Sequence, residues 1–232
     1  RIPPQVSQTT RDNRPRGTLT ENDKVMAEMN NINYRGHHAK VGLELPGTDF
    51  VLERTSERYH TWYDEVNNKV VLSIKGTSFT KDKVQTWGGI AKNGRNHKWN
   101  PYVRGAQAEL NRIKKEYPNA VIEVTGHSLG GNVAQVLRME NPDVVSRAVA
   151  INPGTGASNV LHKVRAFNRK VGEDPNSRVL IQDGSFISRS QKGIANVLLA
   201  NTDAGIIDEH KLSAFQCPEC QTPYAEAVMQ EN

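Results

Sequence analysis

A glycine-rich turn between an apolar run and a helix-like run is the feature that most restricts how this chain can fold. The run Ala120–Thr125 has the composition of a buried β-strand, and the segment Asn132–Met139 has apolar residues at helical spacing. Only a sharp turn can join them, because few residues lie between. Gly126 and Gly130 fit this turn, since bulkier residues there would collide with the adjoining strand and helix.

The turn itself consists of Gly126-His127-Ser128-Leu129-Gly130-Gly131. A strand, Gly-x-Ser-x-Gly and a helix form the elbow on which serine hydrolases present their nucleophile. The motif alone is weak evidence because glycine and serine are common residues, but the strand before it and the helix after it strengthen the assignment. The alternative is an ordinary glycine-rich turn without catalysis, and the context favours Ser128 as a nucleophile.

The apolar residues, 36% of 232, are gathered into strand-like and helix-like runs. An early hairpin lies within 50–74, and later strands alternate with helices, which predicts an α/β fold with a mixed, mostly parallel central sheet flanked by helices. Thr20 is the predicted N-cap of the first helix, with Asp23 in the capping-box position. A late helix is predicted over Gly193–Ala200.

The chain is mildly basic, with a formal net charge of +5. This charge is compatible with transient binding to an anionic membrane surface, although solvated faces are the more ordinary interpretation. Nucleic acid is not an expected partner, because aromatic residues do not interleave with the basic ones. No apolar run is long enough to span a bilayer, so we expect a soluble protein. The chain starts at Arg1, from which we expect that an N-terminal segment has been removed, and its location in the cell stays open.

Cys217 and Cys220 form a single Cys-x-x-Cys pair near the C-terminus. A zinc site of four ligands would need a second pair. Two thiols or a small local disulfide are therefore the favoured interpretation, and we predict neither a metal nor a cofactor.

Chain order restricts the partners of a nucleophilic Ser128. In α/β-type hydrolases an acid and then a histidine follow the serine in the sequence. His162 and His210 both follow Ser128, and His210 is the better candidate for the base because it lies late, after strands that could carry the acid.

Several carboxylates lie between Ser128 and His210. Asp183 is favoured as the acid because it directly follows the strand-like run Val179–Ile181, where catalytic carboxylates of such sheets lie. Asp174 and Asp203 are reserves, and a turn residue before Gly184 is the non-catalytic alternative for Asp183. The remaining carboxylates in this interval are Glu140, Asp143, Glu173, Asp208 and Glu209.

Two backbone N–H groups are expected to form the oxyanion hole. One belongs to Leu129, the residue after the nucleophile, and the other to the loop after an earlier strand. Gly76-Thr77-Ser78 follows the run Val70–Ile74, and Thr77 is the favoured donor.

In this order, the segments Leu72–Ser78, Val124–Gly131, Asn152-Pro153-Gly154 and His210-Lys211-Leu212 resemble the class 3 lipases, the fungal triacylglycerol lipase-like branch of the α/β hydrolases. The resemblance covers residues 18–216 as one lipase-like α/β-hydrolase domain, between a flexible basic arm at 1–17 and a tail at 217–232. It implies a lipid or ester substrate, with Ser128 as nucleophile, Asp183 as acid, His210 as base and Thr77 in the oxyanion hole.

Two features depart from that family. Lys75 stands where the family usually has arginine, and the segment after Thr77 is polar, with Trp87 and Ile90 as its apolar lid or substrate residues. A lid that opens onto a fat droplet should expose a larger apolar face. We therefore expect a phospholipid, a lysophospholipid or a soluble ester as substrate. A noncatalytic lipase-fold domain, used for attachment or assembly within a larger polypeptide or particle, is the competing hypothesis.

Overall fold

The computed structural model describes residues 18–76, 101–154, 161–182 and 188–199. The predicted N-terminal arm at 1–17 and the tail at 217–232 lie outside these ranges, as does the Cys217–Cys220 pair. Within them, no helix combines the length and the apolar character that crossing a bilayer requires.

Seven strands form one sheet in which spatial order follows chain order. The strands are β1 (Phe50–Thr55), β2 (Tyr59–Asp64), β3 (Lys69–Ile74), β4 (Val121–His127), β5 (Val145–Ile151), β6 (Ser177–Gln182) and β7 (Val197–Leu199). The pairs β1–β2 and β2–β3 are antiparallel, and every later pair is parallel. The predicted mixed, mostly parallel sheet is thus confirmed.

In the part of the chain that the structure describes, four α-helices accompany the sheet: α1 (Glu21–Asn33), α2 (Pro101–Glu116), α3 (Leu129–Glu140) and α4 (Leu161–Glu173). Short 3-10 helices occupy Gly36–His38 and Arg189–Ile194. The predicted capping box of α1 is present, since Thr20 Oγ1 accepts from the Asp23 N–H at 3.2 Å and Asp23 Oδ2 accepts from the Thr20 N–H at 2.8 Å. These bonds satisfy donors that the first helical turn cannot pair internally.

Helices cover both faces of the sheet. On one face, Leu110 of α2 and Val133 of α3 share a buried apolar cluster with Leu72 of β3. On the other, Met29 of α1 packs in a second cluster with Val71 of the same strand. Neighbouring residues of β3 therefore point into different cores, which is why Val70, Val71 and Leu72 are consecutive apolar residues.

The predicted helix over Gly193–Ala200 is wrong. The 3-10 helix ends at Ile194, and Val197–Leu199 pairs in parallel with β6 as strand β7. An apolar run this short has no periodicity that separates helix from strand. The segment forms a strand because pairing with the edge of β6 gives its backbone groups hydrogen-bond partners and buries Val197.

Candidate functional site

The site is built at the edge of the sheet where the parallel strands end. Ile74 of β3 lies opposite Gly126 of β4, and His127 of β4 lies opposite Ile151 of β5. The residues that follow these strands therefore emerge side by side. Ser128 is the first residue after β4 and directly precedes α3.

Ser128 has a strained backbone, with φ 55° and ψ −124°. A non-glycine residue in this sparsely populated region costs about 1–3 kcal/mol and persists only where its surroundings hold it. Three hydrogen bonds do so here. Its N–H donates to Ile151 O at 3.1 Å, while its carbonyl accepts from the N–H groups of Asn132 at 3.2 Å and Gly154 at 2.8 Å. The predicted sharp turn is therefore present. Ser128 itself is buried, with 5% of its surface exposed.

The two glycines of the turn are required by close backbone contacts. A Cβ on Gly126 would lie 2.2 Å from the carbonyl carbon and oxygen of Gly130, and a Cβ on Gly130 would lie 2.0 Å from Ile74 O. Real side chains do not fit at such distances, so α3 starts in direct contact with the ends of β3 and β4. Its first N–H groups, including that of Leu129, have no acceptor within the helix. They are suited to binding a negative charge near Ser128.

Gly76 brings the segment after β3 against the serine. A Cβ on Gly76 would lie 3.0 Å from Ser128 Cβ and 2.6 Å from His127 O. Thr77, the predicted oxyanion residue, is next in the sequence but lies outside the described residues. The described neighbour of Thr77 is therefore in contact with the candidate nucleophile.

Lys75 is buried and makes an ion pair with Glu57, Nζ to Oε1 at 2.7 Å. The hydrogen bond from this ammonium lowers the pKa of the Glu57 carboxyl, against a smaller opposing effect of burial. Lys75 thus has a partner of its own in the turn between β1 and β2.

Tyr34, which the sequence pattern does not single out, also belongs to this region. It follows the last residue of α1, and its hydroxyl lies 2.5 Å from Nδ1 of His127. The contact joins residues 93 positions apart. No local motif indicates such a contact, because it depends on how α1 packs across the sheet.

One reserve candidate for the acid is excluded by its position. Asp174 precedes β6 and therefore lies at the opposite edge of the sheet from Ser128. Arg138 donates to both of its carboxylate oxygens, Nε to Oδ2 at 2.8 Å and Nη2 to Oδ1 at 3.2 Å. Burial acts to raise the pKa of Asp174, but these bonds and those from Ser177 and the Asn176 N–H outweigh it and lower the pKa overall. Asp174 is therefore a structural ion-pair partner.

The other predicted residues lie outside the described part of the chain: Asp183, Asp203, His210, Trp87 and Ile90. The strand that precedes Asp183 is described up to its end. β6 ends at Gln182, whose N–H donates to Asn152 Oδ1 at 2.8 Å, and Asn152 itself follows β5. β6 thus ends at the same edge as β4 and β5. Across the described ranges, no group of three or more His, Cys, Asp or Glu side chains is placed to hold a metal ion.

The family model for lipase (class 3) matches residues 50–147. This segment runs from β1 into β5 and contains both Gly76 and the turn at Ser128. Among solved structures, the chain is similar to Lip2 lipase from Yarrowia lipolytica, with 18% identity over 71% of this chain and 72% of that one and a TM-score of 0.48. It is also similar to a mutant of MDLA from Penicillium cyclopium, with 17% identity over 74% and 75% of the two chains and a TM-score of 0.49. A third similar structure is the mono- and diacylglycerol lipase from Aspergillus oryzae, with 14% identity, coverage of 75% and 74%, and a TM-score of 0.45.

Proposed function

We propose, from the match of residues 50–147 to the class 3 lipase family model, that the chain is a serine carboxylic-ester hydrolase acting through an acyl-enzyme on Ser128. The observation that carries the proposal is the strained conformation of Ser128. Its backbone is forced into a rare region by three hydrogen bonds and by glycine contacts on two sides. Strain of this kind is concentrated at active sites, where it presents a side chain to a substrate.

In the proposed reaction, Ser128 Oγ attacks the carbonyl carbon of the ester while His210 takes its proton. Asp183 would hold the imidazole in orientation and stabilise its charge. The tetrahedral oxyanion would be bound by the N–H groups of Leu129 and Thr77. When the intermediate collapses, the ester C–O bond breaks and the alcohol leaves with the proton from His210. Water, activated by the same histidine, then hydrolyses the acyl-enzyme and releases the acid.

A fluorophosphonate probe tests the nucleophile, because it forms a covalent bond only with an activated serine. We expect the native protein to be labelled and Ser128→Ala to lose the label. Ser146→Ala is a matched control, since this exposed serine lies on β5 and donates to Ile122 O at 2.8 Å, away from the elbow. Labelling that persists in Ser128→Ala would exclude Ser128 as the nucleophile, and absence of labelling from the folded native protein would support the noncatalytic alternative.

The base is tested in parallel with single substitutions of the two histidines that follow Ser128. His210→Ala should lower turnover on the order of 10³-fold, because members of a triad act as a unit. His162→Ala should leave turnover close to that of the native protein. The reverse result would assign the base to His162.

We propose a phospholipid, a lysophospholipid or a soluble ester as the substrate class. The support is the basic net charge of +5 together with the polar segment that contains Trp87 and Ile90. Hydrolysis of micellar phosphatidylglycerol should be faster than hydrolysis of emulsified tributyrin. Preference for the tributyrin droplet would exclude this substrate proposal while leaving the serine mechanism in place.

A further inference from the structure

Tyr34 makes contacts that no step of the proposed reaction uses. It is the residue at which α1 ends, and its N–H donates to Asn31 O at 3.2 Å. The far end of α1 is fixed by a buried ion pair, in which Arg178 Nε and Nη2 donate to the Asp23 carboxylate at 2.6 Å each. Tyr34 therefore lies at the end of a helix whose other end is fixed to β6.

The phenol oxygen of Tyr34 lies between the two segments that flank the candidate oxyanion hole. It is 2.5 Å from Nδ1 of His127, the residue before Ser128. It also accepts a hydrogen bond from the N–H of Gly76, the residue before Thr77. The two rings of Tyr34 and His127 meet edge to face, with centroids 5.6 Å apart and planes at 67°.

The sheet alone does not hold these two segments together at this point. The register between β3 and β4 ends with Ile74 opposite Gly126, so beyond this point these two strands are no longer paired with each other. His127 directly follows Gly126 and Gly76 lies two residues beyond Ile74, and the Tyr34 hydroxyl connects them. A Cβ on Gly76 would lie 2.5 Å from Tyr34 Oη, which illustrates how little space separates the groups.

We propose that Tyr34 is a positioning residue for the hydrolase reaction, and that its hydroxyl sets the distance between the segment entering Thr77 and the elbow of Ser128. The inference rests on the proposed function, because the two N–H donors of an oxyanion hole must both lie about 2.7–3.1 Å from one oxygen. Donors on separate segments meet this condition only when the segments are held in register. A misplacement of about 1 Å can cost on the order of 10²-fold in rate.

Protonation is consistent with this role. Burial raises the pKa of the Tyr34 hydroxyl above its ordinary value, so the phenol keeps its proton across the working pH range. With the Gly76 N–H donating to the oxygen, the phenol proton is available to His127 Nδ1. A neutral imidazole that accepts at Nδ1 carries its own proton on Nε2.

Tyr34→Phe removes the hydroxyl and keeps the ring. We expect kcat and the rate of fluorophosphonate labelling to fall about 10-fold or more, with KM within about twofold of the native value. Tyr63→Phe is the matched control, because the Tyr63 hydroxyl donates to Asn68 Oδ1 at 3.3 Å near the surface. Its rates should equal those of the native protein.

A second pair of variants tests the partner of the hydroxyl. His127→Asn places an amide oxygen near the former position of Nδ1 and should retain more activity than His127→Leu, which offers no acceptor. Combining Tyr34→Phe with His127→Leu should cost little more than either change alone, because both remove the same contact.

The outcomes separate this inference from the function on which it rests. Native labelling together with unchanged kcat in Tyr34→Phe would overturn the positioning role and leave the hydrolase assignment standing. A fall in urea stability of Tyr34→Phe with kcat of the folded fraction unchanged would also overturn it. Absence of labelling in the native protein would overturn both.

Discussion

His60 should make the protein lose stability in mild acid. Its side chain is fully buried in β2, where Nε2 donates to Gly36 O at 2.7 Å. The pKa of this imidazole is lowered from 6.5 to about 4, mainly by burial and to a smaller extent by the charge of nearby Lys75, while the Gly36 carbonyl and Glu57 oppose the change. The folded protein therefore holds His60 neutral at a pH where an unfolded chain would protonate it.

The size of the effect follows from proton linkage. Between pH 6.5 and pH 4 the unfolded state binds one more proton at this position than the folded state does. Stability conferred by a depressed histidine pKa is complete above pH 6.5 and is lost as the pH falls through this window. Since one pKa unit corresponds to about 1.4 kcal/mol, His60 alone should remove about 3 kcal/mol from the free energy of unfolding.

Urea unfolding at several pH values between 7.5 and 4 measures this quantity. Carboxylates also titrate at the acid end, so the informative quantity is the difference between the native protein and His60→Gln. Glutamine can donate to the same carbonyl but does not titrate. On acidification from pH 7.5 to 4, the free energy of unfolding of His60→Gln should therefore fall by about 3 kcal/mol less than that of the native protein. His37→Gln is the control, since that side chain is 64% exposed. Parallel pH profiles of the native protein and His60→Gln would refute the argument.

Two further substitutions test the packing that holds the site. Gly130→Ala places a Cβ 2.0 Å from Ile74 O and should lower stability in thermal unfolding by about 3 kcal/mol or more. Gly193→Ala is its control: the added Cβ meets nothing within 4 Å and should change stability by less than about 0.5 kcal/mol. Equal effects would show that α3 adapts freely. Arg178→Met leaves the fully buried Asp23 without its paired cation and should cost about 3–5 kcal/mol in urea unfolding, and a loss below about 1 kcal/mol would contradict a desolvated pair.

The sequence predicts the sheet well because its strands carry two distinct patterns. The alternation in Tyr59–Tyr63 indicates a strand in an antiparallel hairpin, and the continuous apolar run Val70–Ile74 indicates a strand covered on both faces. Both are confirmed by the register of β2 and β3. The helix predicted over Gly193–Ala200 fails because the partner that makes Val197–Leu199 a strand is β6, which local sequence does not reveal.

The elbow is predictable for a different reason. The clash that requires Gly126 lies within a short stretch, since a Cβ there would meet Gly130 and both residues flank Ser128. The contacts that adjust the site are long-range. Tyr34 reaches His127 across α1 and the sheet, and no spacing in the sequence reports such a contact. Sequence reasoning therefore finds the candidate nucleophile but not the tyrosine that contacts both Gly76 and His127.

Topology also decides between carboxylates that sequence alone leaves open. In a parallel sheet every strand runs in the same direction, so a residue directly before a strand lies at the opposite edge from a residue directly after one. Asp174 comes before β6 and is bound by Arg138 far from the elbow, whereas β6 ends at Gln182 beside Asn152 on the elbow's edge. The acid of the proposed triad must approach Ser128 from that edge. Asp183, the next residue after Gln182, thereby gains support over Asp174 from strand direction alone.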